Sequence, residues 1–90
     1  MPEIRYRIEY DPKIYEKLLE FPKVVRAVIL KNIEKKLTVD PYAFGKALVH
    51  DWKHHFRLRV GDYRVIYLIK DETVTVLIVE IDHRKDVYRD

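Results

Sequence analysis

Apolar and polar positions alternate strictly from Ile4 to Tyr10, a period of two that predicts a strand with one buried and one polar face. Asp11-Pro12 then reads as a helix start, with Asp as the cap and Pro at the first helical position. Ile14 and Leu18, with Tyr15 and Leu19 beside them, predict a short amphipathic helix ending near Phe21. Pro22 opens a second helix, in which Val25, Ile29, Ile33 and Leu37 repeat every four residues and Val28 widens the stripe. Asp40-Pro41 ends it, and positions 41–53 read as a loop with one helical turn. Three further strands are predicted over His54 to Val60, Tyr63 to Lys70 and Thr73 to Ile81, with Gly61-Asp62 and Asp71-Glu72 as tight turns.

The first of these turns fixes a register. Gly61 supplies the positive φ that a two-residue hairpin needs at its first central position. Folding about it sets Val60 against Tyr63, Arg59 against Arg64, Leu58 against Val65 and Arg57 against Ile66. Arg57, Arg59 and Arg64 then share one face, because strand side chains alternate. Like charges directly opposite each other cost a sheet roughly 0.2–1 kcal/mol per pair. One arginine on a strand is ordinarily solvated or paired with a loop carboxylate. Three on one face, two of them opposed, predict an anion site, and phosphate suits the guanidinium fork. The last two strands also carry apolar residues on both faces: Tyr63, Val65, Tyr67 and Ile69 on one, Ile66 and Leu68 on the other. The helix pair covers one face, so the other calls for a partner.

Composition narrows the class. Ninety residues, 48% hydrophobic and 37% charged, predict one globular domain over residues 1–90. No apolar run is long enough to span a bilayer, the N-terminus enters a strand pattern at once, and cysteine is absent, so a cytoplasmic protein is expected. The formal charge of +3 lies wholly in the first half of the chain, since acids and bases balance from Asp51 onward. Placement therefore matters more than total charge. Ser, Gln and Cys are missing and Asn32 is the sole Asn, a profile of heat adaptation that a mesophile-range melting temperature would remove.

Other chemistry is sparse. His83 follows the last predicted strand in Asp82-His83-Arg84-Lys85-Asp86-Val87-Tyr88 and titrates near neutrality when unperturbed. Tyr88 is a weaker acid that nearby arginines would strengthen. Both are ordinary surface residues unless this segment folds back beside the arginine face. His50, His54 and His55 flank Trp52, but His54 and His55 point to opposite sides of a strand, so no metal is expected. Trp52 is read as an anchor for its loop rather than a base-stacking platform. Without Ser, Cys or a Gly-rich phosphate loop, enzyme nucleophiles and nucleotide cofactors are not expected either. RNA, which carries its own 2′-hydroxyl nucleophile, stays open as a substrate.

The run from Phe56 to Tyr67, with His83-Arg84-Lys85-Asp86-Val87-Tyr88 one strand later, resembles the RelE/ParE toxin superfamily. Asp40-Pro41, Gly45 and Leu48 extend the likeness. The resemblance implies an α+β fold, with two N-terminal helices packed on one face of a mainly antiparallel four- to five-stranded sheet. It also implies the toxin half of a toxin–antitoxin pair. RelE-like members enter the ribosomal A site and cleave messenger RNA without metal, by attack of the 2′-hydroxyl. Arg57 and Arg59 match positions often Lys in RelE, Arg64 the arginine after the turn tyrosine, Arg84 the arginine beyond the last strand, and Tyr88 the C-terminal tyrosine. His83 matches a basic or His position. The implied partners are a cognate antitoxin, the ribosome and mRNA, with no membrane and no cofactor. The arginines would bind phosphate, with Tyr88 or His83 as general base. ParE-like relatives instead poison DNA gyrase, and an inactive antitoxin-binding relative is a third reading.

Overall fold

The computed structural model describes residues 4–83. Arg84 and Tyr88 lie outside the described residues. Among the described residues, five strands form one sheet: β1 (Arg7–Tyr10), β2 (Lys46–Ala47), β3 (Phe56–Val60), β4 (Tyr63–Lys70) and β5 (Thr75–His83). Their order is β1-β5-β4-β3-β2, with β1 parallel to β5 and the other pairs antiparallel. The α+β architecture read from the chain is the observed one.

Helix α1 (Pro12–Glu20) starts as expected, with the Asp11 carboxylate accepting from the Lys13 N–H at 3.1 Å and Pro12 in the first turn. Ile14 and Leu18 are buried beneath it. Helix α2 (Lys23–Asn32) continues into a π turn over Ile33–Leu37. The wider turn has a geometric use. At about 100° per residue, a four-residue repeat drifts by about 40° per step around an α-helix. The π turn rotates the stripe back, and Ile29, Ile33 and Leu37 all stay buried. Val28, read as part of that stripe, is instead 48% exposed.

The helix-facing side of the sheet is the core: Leu58, Val60, Val65, Tyr67, Val76, Ile78 and Ile81 pack with Ile14, Leu18, Ile29, Ile33 and Leu37. Tyr67 is fully buried, and its hydroxyl donates to the Pro41 carbonyl at 2.6 Å. That bond tethers the one-turn helix α3 (Pro41–Phe44) to the sheet. Gly45 makes this possible, since a Cβ there would stand 1.7 Å from the Tyr67 hydroxyl.

Several expected boundaries move. The first strand begins at Arg7, leaving Ile4 74% exposed. The strand expected from His54 starts at Phe56, because His54 turns to φ +74°. Asp71-Glu72 is not a two-residue turn but a 3-10 turn, Asp71–Thr73, closed by Val74 in the left-handed region at φ +50°. Tyr6 and Tyr42 both donate to the Asp71 carboxylate, Tyr6 at 3.0 Å, which holds this turn to the start of the chain and to α3. The last described strand runs two residues further than expected, through His83, the last described residue.

Candidate functional site

The β3–β4 hairpin has the register read from the chain: Val60↔Tyr63, Arg59↔Arg64, Leu58↔Val65 and Arg57↔Ile66. Gly61 sits at φ +58°, with nothing within 4 Å of the position a Cβ would take, so the turn selects Gly for conformation rather than space. Arg57, Arg59 and Arg64 therefore line the face turned away from the helices. Arg59 is exposed, while Arg57 and Arg64 are half-buried.

Arg57 is the informative member. Its Nε is buried with no hydrogen-bond partner among the described residues. Burial, and then repulsion from Arg59 and Arg64, lower its pKa, although a guanidinium stays charged at any ordinary pH. A buried donor without an acceptor is costly, and a bound oxyanion would supply the acceptor. Lys46 of β2 is the cross-strand partner of Arg57 and adds a fourth cation to the face. Sequence reasoning missed Lys46, since a two-residue strand has no periodicity to detect.

The same face has an acidic border. Asp82 is opposite Arg64, and Glu80 opposite Ile66. Lys17 of α1 engages both carboxylates, lying 3.2 Å from Glu80 and hydrogen-bonding Asp82. Burial opposes its charge, but the two carboxylates outweigh that and leave its pKa raised. Ile66 is fully buried amid these charges, and Leu68 and Leu77 beside it are half-buried.

His83 falls elsewhere. It belongs to β5, opposite Tyr63, and its ring meets the Tyr63 ring edge-to-face at 4.9 Å. Alternation puts this pair on the opposite face from Arg64 and Asp82. Of the segment that would have to fold back beside the arginines, only Asp82 and His83 are described: strand pairing continues through Ile81-Asp82-His83 and turns the imidazole to the Tyr63 side. Arg84 and Tyr88 fall outside the described residues, so Arg57, Arg59 and Arg64 are the candidates brought together.

The histidine loop is built separately. His50 and His54 both adopt positive φ, +59° and +74°, and Trp52 packs edge-to-face on His55 at 5.0 Å. Among the described residues no group of three or more His, Cys, Asp or Glu is placed to hold a metal. A groove of about 880 Å³ runs along β1, on the far edge of the sheet from β2. Ile8, Tyr10, Leu18, Leu19 and Leu30 line it, with Arg26 among them. Burial, followed by Glu34 and Tyr15, pushes the Tyr10 phenol up to about 12.

A helix hairpin on a five-stranded sheet, with a row of cations on the face turned away from the helices, defines a small α+β domain suited to meeting an anion. The family model of the ParE toxin of type II toxin–antitoxin systems matches residues 8–88. Toxin RelG of Mycobacterium tuberculosis is 32% identical over 84 residues, spanning 93% of this chain and 97% of that protein. The RelBE2 toxin–antitoxin complex of the same organism contains a chain that superposes with a TM-score of 0.85 at 29% identity, covering 92% of this chain and 95% of that one. The isolated E. coli RelE toxin shares the fold, with a TM-score of 0.72 at 18% identity over 87% of this chain and 83% of that one. The chain belongs to the RelE/ParE superfamily of type II toxins.

Proposed function

We propose that this toxin is a metal-independent endoribonuclease that enters the ribosomal A site and cleaves messenger RNA there, arresting translation. The observation that carries the reading is the row of Arg57, Arg59 and Arg64, with the Arg57 Nε buried and lacking an acceptor among the described residues. In this reading the 2′-hydroxyl oxygen attacks the adjacent phosphorus and loses its proton to a general base. The 5′-oxygen leaves and takes a proton, giving a cyclic phosphate and a free 5′-hydroxyl. The arginines neutralise the charge that builds on the phosphoryl oxygens. We assign Tyr88 as the base, since His83 faces the Tyr63 side of the sheet. Arg84 completes the phosphate contacts, and an arginine-bound water protonates the leaving oxygen.

The partner is an antitoxin, in keeping with the relatives solved as toxin–antitoxin complexes. In this proposal an acidic segment of the antitoxin lies over Arg57, Arg59 and Arg64 and blocks RNA, while its apolar side chains seat in the groove along β1. Antitoxin binding unchanged after all three arginines become Ala would sink that placement. A cytoplasmic location follows from the ribosomal target. No described helix is long and apolar enough to cross a membrane.

Primer extension on an mRNA translated by purified ribosomes tests the activity. The wild-type chain is expected to cut ribosome-dependently and in frame, with Arg64→Ala, Arg84→Ala and Tyr88→Phe each slower by at least about tenfold. No cuts from the folded wild-type protein would overturn the ribonuclease reading. Because the matching family model is that of the ParE toxin, the second reading is a gyrase poison, read by loss of DNA supercoiling in the same preparation.

A further inference from the structure

The arginine face does not stop at Arg57. β2 and β3 pair through Lys46↔Arg57 and Ala47↔Phe56, and the Leu48 N–H continues the ladder to the His55 carbonyl at 2.9 Å. Phe56 stacks on Tyr67 and packs against the core, so alternation turns His55 with Arg57 to the face away from the helices. Two residues of extended chain separate them, a spacing of about 7 Å. Trp52 packs its ring edge-to-face on His55, with centroids 5.0 Å apart. An aromatic pair therefore closes the cationic row at the end remote from the Gly61 turn.

Trp52 reads from the sequence as an anchor for its loop, but it is not among the described residues that pack on the core. It is half-buried, against His55. The loop adopts strained backbone to place it. His50 and His54 bracket the ring at φ +59° and +74°, a region that residues other than Gly rarely enter. A turn that only joined two strands could use Gly at both corners without strain. Between them the chain coils through a 3-10 turn, His50–Trp52, and the His55 N–H closes it on the Trp52 carbonyl at 2.9 Å. The His55 Nδ1 donates to the Lys53 carbonyl at 3.1 Å, which fixes the plane of the imidazole that Trp52 rests on.

We infer that Trp52 and His55 form a nucleobase subsite: the base next to the phosphate held by Arg57 stacks on the Trp52 ring, and His55 positions that ring. The inference rests on reading the arginine row as an RNA phosphate site, and it adds the contact that tells RNA from a bare polyanion. Phosphate contacts carry no information about a base, whereas every base offers a π face to an indole. A tryptophan serving only to staple the loop between β2 and β3 would matter for stability and not for binding a base.

Trp52 is the sole tryptophan, so the intrinsic fluorescence of the full chain reports on this ring alone. The titrants are a short single-stranded RNA and an abasic RNA of the same length, with affinities read separately by anisotropy of end-labelled strands. RNA is expected to quench Trp52, and the abasic strand to bind about tenfold more weakly and leave it unquenched. Trp52→Leu is expected to lose about tenfold in affinity for RNA and none for the abasic strand, with the salt dependence unchanged. Trp52→Phe is expected to retain most of the affinity. Equal quenching by the two strands would overturn the subsite, as would a folded Trp52→Leu protein that binds RNA like the wild type. The quenching comparison needs no variant, so it decides even where Trp52→Leu fails to fold. Replacing Arg57, Arg59 and Arg64 by Ala separates the two readings. Unchanged affinity with base-dependent quenching would sink the phosphate reading and leave the aromatic subsite. RNA binding that the arginines carry, with Trp52 unquenched, would sink the subsite alone, and a wild type that binds no RNA would overturn both.

Discussion

The two faces of one sheet divide the work of this molecule. On the helix side, Val65, Tyr67, Val76, Ile78 and Ile81 are fully buried. On the other, the same sheet carries Arg57, Arg59 and Arg64, bordered by Glu80 and Asp82. Strand alternation separates the two sets by a single residue step, so Leu58 is core while its neighbours Arg57 and Arg59 lie on the opposite face. The contrast is energetic. Burying one large aliphatic side chain is worth about 1.5–3 kcal/mol, against roughly 0.2–1 kcal/mol for one opposed pair of like charges. The helix-side face can therefore carry an electrostatically unfavourable face behind it.

Breaking the stable face is expected to produce the largest effect. Ile78→Ala empties a fully buried position and is expected to cost about 2–5 kcal/mol in denaturant unfolding. A loss below about 1 kcal/mol would mean that the helices do not pack there as described. Gly45→Ala comes next, at about 1–3 kcal/mol, since the added Cβ must push the Tyr67 hydroxyl from the Pro41 carbonyl. Pairing it with Tyr67→Phe is expected to recover part of the loss, and strictly additive costs would refute the clash.

The third prediction concerns alkaline pH. Burial of Tyr10 and the Asp71 hydrogen bond to Tyr42 push both phenols up to about 12. A folded-state pKa above the unfolded value contributes stability in full below about pH 10, which is then lost as pH rises through the folded pKa. Stability is expected to fall by on the order of 1 kcal/mol between pH 10 and 12, less in Tyr10→Phe. Tyr42 is 48% exposed, so its share is screened and small. The smallest effect is the one that sharpens the comparison. Arg59→Ala removes one half of the Arg59–Arg64 opposition and is expected to stabilise the fold by roughly 0.2–1 kcal/mol while lowering RNA cleavage. A destabilised Arg59→Ala protein would mean that the face is not under charge strain.

Local signals were legible and non-local ones were not. The β3–β4 register was readable to the residue because Gly61-Asp62 punctuates two alternating runs, and that hairpin carries the arginine row. The parallel β1–β5 pairing joins residues nearly seventy positions apart and leaves no mark on either strand alone. Charged residues hid the end of β5: Asp82 and His83 read as a tail, yet ladder pairing with Arg64 and Tyr63 keeps them in the sheet. The irregularity between Ile66 and Tyr67 sets Glu80 and Ile78 on consecutive β4 partners, and Val79 between them interrupts the alternation. Nothing in the helix pattern singles out Lys17, because its partners Glu80 and Asp82 come from β5.

The strand order also bears on when the sheet can form during synthesis. The last described strand, β5, fills a central slot between β1, the first described, and β4. On the ribosome β1 has no neighbour until residues 75–83 have left the exit tunnel. The sheet therefore closes only after residues 75–83 are free to pair, later than every other described strand. Protease-resistant structure in nascent chains arrested with residue 74 newly emerged would show otherwise.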